Sequence, residues 1–250
     1  MAKPILVANW KNYPGSLKEA GSLLDALQKK CTNFKKINLF IAPPYVYFES
    51  VSKRSKKFAG LASQDIFFTA EGVHTGSISP DILKSFGVKM VMIGHSERRA
   101  LGETNEVVAA KLKTALRSGV TPLLCVGETV RDEEGNHLEV LRDQLKFSLE
   151  GMRRREDAGK LVIAYEPVWA IGKKAAMSAA DLAQMVIFIK KVLNDIFGRE
   201  AAESIPVLYG GSVNAANAAS LMKESGVRGL LVGRASLNAK EFCELAKAIS

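Results

Sequence analysis

Leu161-Val162-Ile163-Ala164-Tyr165-Glu166-Pro167-Val168-Trp169-Ala170-Ile171-Gly172 is the stretch on which the fold turns. A short apolar run of β type, Leu161 to Tyr165, ends in a carboxylate, and a proline, an aromatic residue and a glycine-bearing loop follow. That order of residues puts a base at the mouth of a barrel beneath a movable lid. Seven more short apolar runs lie to either side: Ile5 to Ala8, Ile37 to Ala42, Phe58 to Ala62, Met90 to Ile93, Pro122 to Val126, Val207 to Tyr209 and Gly229 to Val232. They are continuous rather than alternating, as strands buried on both faces are. Between most of them the apolar spacing is helical. Leu17, Leu23, Leu24 and Leu27 make one stripe, and Val107, Val108, Leu112 and Leu116 a second. Leu182, Met185, Val186, Ile189 and Leu193 make a third. Ser178-Ala179-Ala180-Asp181 predicts a helix start with a reciprocal cap.

Eight strand–helix units, with no Pro/Ser linker and no low-complexity segment, predict an α/β fold: one (β/α)8 barrel over residues 1–250. A doubly wound open sheet is the rival. The tally of eight favours the barrel, and so do candidate chemical groups at the ends of several different strands. A chain of 250 residues suits such a barrel as a single domain.

Composition narrows the function classes. No apolar run approaches the roughly 18 residues a membrane helix needs. Met1-Ala2-Lys3-Pro4 leads straight into a predicted strand, so no signal peptide is expected and the expected location is cytoplasmic. Cys31, Cys125 and Cys243 are odd in number and lack paired spacing, which predicts free thiols in a reducing compartment. His74, His95 and His137 are scattered without metal-ligand spacing, so no metal is expected. The formal charge of +9 comes from dispersed pairs such as Lys29-Lys30 and Lys190-Lys191, free of interleaved aromatics. A solvated surface is therefore expected rather than a nucleic-acid partner, and its positive field would draw an anionic substrate.

Three further segments stand at predicted strand ends: Ala8-Asn9-Trp10-Lys11, Gly94-His95-Ser96-Glu97-Arg98-Arg99 and Tyr209-Gly210-Gly211-Ser212. With the Glu166 stretch they occur in the order found in the triosephosphate isomerases, and the chain resembles that family over essentially its whole length. The resemblance implies a TIM barrel that interconverts dihydroxyacetone phosphate and D-glyceraldehyde 3-phosphate, as in glycolysis and gluconeogenesis, with no cofactor. Glu166 would be the general base and His95 a neutral electrophile. Lys11 would offset charge at the phosphate and at the developing enediolate, Asn9 would orient it, and Glu97 would be a nearby polar partner. The family is itself a standard illustration of a neutral catalytic histidine and a closing lid. The lid would comprise Pro167, Val168, Trp169, Ala170, Ile171, Gly172, Lys173, Lys174, Ala175 and Ala176. Its closure would press Ile171 and Leu231 over the Glu166 carboxylate and strip it of water, which strengthens a base. Backbone N–H groups at Gly172, Ser212, Gly233 and Arg234 would hold the phosphate.

Departures from the family pattern are equally specific. Asn12-Tyr13-Pro14-Gly15 follows Lys11 where relatives usually continue Met-Asn-Gly. Ala100-Leu101-Gly102-Glu103 is one residue short, which predicts a tightened loop. The lid, Ala170-Ile171-Gly172-Lys173-Lys174, is also one residue short and lacks a second glycine. Arg234 replaces a glycine, with its side chain expected to face solvent. The loop around Thr75 resembles the family's dimerisation loop with His74 and Ser77 substituted, so a homodimer is expected. Two other classes stand as rivals. One is an aldolase using Lys11 as a Schiff base; the other is a phosphate-binding protein with little turnover.

Overall fold

Runs of Val, Ile and Leu with no polar face must be covered on both sides, and here a ring of helices outside and packed side chains inside do so. The computed structural model describes residues 2–31, 33–69, 74–152, 156–172 and 177–250. Strands β1 (Ile5–Asn9), β2 (Asn38–Ala42), β3 (Gly60–Ser63), β4 (Val88–Ile93), β5 (Thr121–Val126), β6 (Val162–Tyr165), β7 (Val207–Tyr209) and β8 (Gly229–Val232) close a barrel in sequence order. All are parallel, and β1 pairs with both β2 and β8, Ile5 standing opposite Asn38 and Gly229. Closure excludes the open-sheet rival. Each sequence-predicted strand lies within about two residues of an observed one.

Alternation along each strand divides the core into two. Val7, Ala42, Ala62, Met90, Met92, Leu123, Cys125, Ala164, Leu208 and Leu231 fill the barrel interior. Their neighbours Leu6, Ala8, Ile41, Val91, Leu124 and Ile163 face the helices. These are α1 (Leu17–Lys30), α2 (Phe48–Ser55), α3 (Pro80–Ser85), α4 (Ser96–Ala100), α5 (Asn105–Arg117), α6 (Asn136–Ser148), α7 (Ala179–Phe197), α8 (Arg199–Ser204), α9 (Ala215–Glu224) and α10 (Ala239–Ala248). Ser16, Ser79, Thr104, Ser178, Asn214 and Asn238 cap the starts of α1, α3, α5, α7, α9 and α10, each side chain accepting a backbone N–H. None of the described helices is long and apolar enough to cross a membrane.

Three sequence expectations need correction. Leu17 belongs to the predicted α1 stripe but is 57% exposed. It opens the helix, ahead of the turn that first meets the barrel, so Ala20, Leu24 and Leu27 carry the packing. Each buried leucine there contributes roughly 1.5–3 kcal/mol, and Leu17 little. At α7 the cap is not reciprocal: Ser178 accepts from Asp181 N, while the Asp181 carboxylate accepts from the Ser178 hydroxyl. Finally, the cysteines are not three free thiols. Cys31 and Cys243 form a disulfide across 212 residues, with α-carbons 5.1 Å apart. Barrel closure makes the first and last helices neighbours, which linear spacing does not reveal. Cys125 alone is free, and it is buried.

Candidate active site

Strand ends β1, β4, β6, β7 and β8 surround one cavity of about 500 Å³. Its wall includes Asn9, Lys11, His95, Glu166, Ile171, Gly172, Gly211, Ser212, Leu231, Gly233 and Arg234. The structure thus brings together residues drawn from five separate sequence segments. Of the predicted catalytic and phosphate-binding residues, Glu97 is not on this wall but is bonded to Lys11, which is.

Glu166 follows β6 and is nearly fully buried, at 2% exposure. Its Oε2 accepts the backbone N–H of Ser96 at 3.1 Å, and its Oε1 lies 3.2 Å from His95 Nε2. Two glycines make room for it. A β-carbon on Gly210 would come 2.8 Å from Glu166 Cγ, and one on Gly127 would overlap the Glu166 carbonyl. The carboxylate is therefore admitted by the absence of side chains on its neighbours.

His95 caps α4, and its Nδ1 accepts the Glu97 backbone N–H at 3.2 Å. A nitrogen that accepts carries no proton, so the neutral imidazole holds its proton on Nε2, the atom facing the cavity. Asn9 Oδ1 accepts from Lys11 N at 2.9 Å, and its amide nitrogen lies 3.3 Å from His95 Nε2. With the proton on Nε2 both atoms are donors, so that pair is a contact, and the Nε2–H is directed to Glu166 Oε1.

Lys11 has a backbone φ of 51°, a left-handed conformation that costs a non-glycine residue on the order of 1 kcal/mol or more. Asn9 grips its N–H and Gln64 Nε2 its carbonyl, at 2.6 Å; the same Gln64 nitrogen also donates to Ala42 O at 2.9 Å. The Lys11 ammonium pairs with Glu97 Oε1 at 2.5 Å. The unusual Asn12-Tyr13-Pro14-Gly15 loop, with a cis Tyr13-Pro14 peptide, leaves Lys11 on the wall.

The segment after α4 acts as a brace. Glu103 Oε2 accepts from Gly94 N at 3.1 Å, and Glu103 also pairs with Lys111. Lys111 in turn reaches Asp65 at 2.6 Å, and Arg98 reaches Asp65 at 3.0 Å. Burial raises the Asp65 carboxyl above its usual range, against the lowering pull of Lys111 and Arg98. Arg99 donates to Gly94 O at 2.8 Å, fixing the turn that delivers His95.

Glu128 anchors the first residues of the predicted lid. This carboxylate, buried after β5, accepts from Tyr165 OH at 2.9 Å and from Trp169 Nε1 at 2.7 Å. Burial, and then the Glu128 charge, raise the Tyr165 phenol far above its ordinary range, so it remains a donor. Val168–Ala170 forms a turn of 3-10 helix, and Ser212 Oγ donates to Ala170 O at 2.9 Å. Ile171 and Leu231 both reach the cavity wall, as a clamp over Glu166 requires. Lys173, Lys174, Ala175 and Ala176, the rest of the predicted lid, lie outside the described residues.

Gln64 and Glu128 are functional positions without an assigned role in the sequence reading. Both act through atoms of residues distant in the chain, so only their place after β3 and β5 could have signalled them. Cys125 lies beside Glu166 inside the barrel; burial pushes its thiol well up, and it is an inert filler. Among the described residues, no group of three or more His, Cys, Asp or Glu side chains is placed to hold a metal.

Comparison with known proteins meets this geometry. Residues 4–249 match the family model for triosephosphate isomerase. The chain is 40% identical over 248 residues to a protein of Thermoanaerobacter sp. strain X514 named triosephosphate isomerase, covering 98% of this chain and 99% of that one. It is 37% identical over 250 residues to one of the same name from Dehalococcoides mccartyi strain BAV1, covering 99% and 96%. A third, from Roseiflexus castenholzii, is 38% identical over 253 residues, covering 100% and 99%.

Proposed function

This chain belongs to the triosephosphate isomerase family, and we propose that it interconverts dihydroxyacetone phosphate and D-glyceraldehyde 3-phosphate through an enediolate, without a cofactor. The observation that carries this reading is the convergence of Glu166, His95, Asn9 and Lys11 on one cavity. Glu166 takes the proton from the carbon next to the substrate carbonyl. The electron pair of that C–H bond moves into the new C–C double bond, and the carbonyl oxygen gains the charge. His95, with its Nε2–H aimed into the cavity, donates to that oxygen and relays a proton between the two oxygens. Lys11 stabilises the developing negative charge. Glu166 then returns a proton to the neighbouring carbon, completing the isomerisation.

The carboxylate now bonded to Ser96 N and His95 must leave both partners to reach substrate. Substrate oxygen taking the His95 donor would release it, and closure of the lid on Trp169 and Glu128 would exclude water. Phosphate is held by backbone N–H groups at Gly172, Ser212, Gly233 and Arg234. A Schiff-base role for Lys11 fits poorly, because its ammonium is ion-paired with Glu97.

A homodimer is part of the same proposal. Tyr13, Val46, Phe68 and Leu101 are large, apolar and exposed, and they follow β1, β2, β3 and β4 respectively. Four consecutive strands place them along one side of the barrel mouth. His74 and Thr75 are exposed in the same region, with the His74 ring 4.5 Å from that of Phe67. Part of that loop, 70–73, lies outside the described residues. No nucleic-acid or membrane partner is proposed. The reaction assigns the chain to glycolysis and gluconeogenesis in the cytoplasm, though the Cys31–Cys243 pair sits less well with a strictly reducing compartment.

The test is proton NMR with glyceraldehyde 3-phosphate in deuterated water. The expected result is rapid formation of dihydroxyacetone phosphate with deuterium on the isomerised carbon. Bound but unchanged substrate would overturn the isomerase reading in favour of a binding protein.

A further inference from the structure

The cavity wall carries two arginine or lysine side chains among the described residues, Lys11 and Arg234, and they are held differently. Lys11 is committed to Glu97 at 2.5 Å. Arg234 forms no ion pair among the described residues, and its side chain is exposed. It opens the 3-10 turn Arg234–Leu237, directly after Gly233. Gly233 itself abuts the catalytic lysine: a β-carbon on it would stand 3.5 Å from Lys11 Cε. Arg234 thus starts one residue away from the substrate-facing lysine, on the wall that also holds Gly211 and Ser212. Two acids line the cavity, Glu166 and, in the first turn of α10 on the side of Gly211 and Ser212, Glu241.

We propose that the Arg234 side chain is a specificity-determining anchor for the substrate's phosphate, adding a guanidinium to a site otherwise built from backbone N–H groups. The proposal rests on the isomerase reading for the identity of its ligand and deepens it. Three features of the wall converge on this role. A guanidinium presents a planar fork of donors that matches two phosphate oxygens, which a backbone N–H cannot do. Its donors are not spent on a carboxylate among the described residues, so binding phosphate breaks no ion pair seen there. And the Glu241 carboxylate on the same wall would repel a dianion unless a cation offset it. Neutral glycine at position 234 would leave that repulsion to the Lys11 ammonium, which is already paired with Glu97. Being exposed, the guanidinium acts through a partly screened field, so its contribution falls as salt rises.

The experiment is titration of the full-length protein with inorganic phosphate by calorimetry, beside steady-state kinetics, for wild type, Arg234→Gln, Arg234→Lys and Glu241→Gln. Arg234→Gln is expected to weaken phosphate binding and raise KM by roughly three- to tenfold, the scale of a screened charge-assisted hydrogen bond, with a smaller change in kcat. Arg234→Lys should recover part of the loss, since it restores charge without the fork. Glu241→Gln should tighten phosphate binding, and added neutral salt should weaken binding more in wild type than in Arg234→Gln. Phosphate affinity and KM unchanged within twofold in Arg234→Gln would overturn the anchor, as would a kcat loss exceeding the KM rise. If wild type failed to isomerise triose phosphates while phosphate binding still depended on Arg234, the isomerase reading would fall and the anchor would stand.

Discussion

The two walls of the cavity are built on opposite plans. The wall of Asn9, Lys11, His95 and Glu166 is a lattice of side chains. Asn9, His95 and Glu166 are each at most 6% exposed, and each is bonded to at least one other residue that the proposed chemistry uses or to the backbone beside it. The wall of Gly211, Ser212, Gly233 and Arg234 has glycines where the other has functional groups, and its cation among the described residues, Arg234, is exposed. Proton transfer needs atoms fixed to a fraction of an ångström, so that wall is overdetermined. Holding a phosphate needs only convergent donors, so backbone and a mobile charge suffice. The expectation is a division of labour: changes to the first wall are read in kcat, and changes to the second in KM and salt dependence.

Lys11 is the residue that most directly challenges the division, because it serves both walls. Lys11→Ala should lower kcat by about 10²–10³-fold and raise KM as well, the largest loss in kcat/KM expected of any single change here. Steady-state kinetics in both reaction directions would check it. A Lys11→Ala variant that lost only affinity would move Lys11 wholly to the anion wall. Glu166→Asp comes next. Shortening the side chain withdraws the carboxylate by about one bond length, and a displacement of about 1 Å can cost roughly 10²-fold in turnover with little change in KM. Unchanged turnover would remove Glu166 from the role of base.

Gln64→Leu has a smaller expected effect and sharpens the same contrast. It leaves the Lys11 and Ala42 carbonyls without their shared donor, which should destabilise the fold by about 1–3 kcal/mol. Because Lys11 is held in a left-handed conformation partly by that bond, kcat/KM should fall roughly tenfold. Thermal unfolding and kinetics on the same preparation separate the two effects. A stability loss with full activity would show that Asn9 alone positions Lys11.

The barrel and the four strand-end motifs were legible in the sequence for a physical reason. Strands covered on both faces leave continuous apolar runs, and chemistry at strand ends leaves polar residues directly after them. Glu166, His95, Asn9 and Lys11 all stand in that position. What was not legible depends on ring closure. Gln64 acts on Lys11 across 53 residues, Glu128 holds Trp169 across 41, and Cys31 meets Cys243 across 212. No local spacing encodes those separations. Leu17 failed for a different reason: periodicity marks a helix face, but it does not say at which residue that face first meets the barrel.

The disulfide supplies the smallest expected effect on activity and the cleanest control. Cys31 follows α1 and precedes β2, so it lies at the end of the barrel where strands begin, opposite the cavity. A link across 212 residues restricts the unfolded chain far more than the folded one. Reduction, or Cys31→Ser, should therefore cost about 2–4 kcal/mol of stability and lower Tm. It should leave kcat and KM unchanged, because neither cysteine lines the cavity. Thiol titration after denaturation would fix the starting state. The bonded protein should yield one reactive thiol, from Cys125, and the reduced protein three. Parallel melting curves and kinetics with and without reductant then give the answer. If turnover fell along with Tm, the face that stabilises the barrel and the face that carries the chemistry would be coupled through its strands. The two walls could then no longer be treated as independent of the frame that holds them.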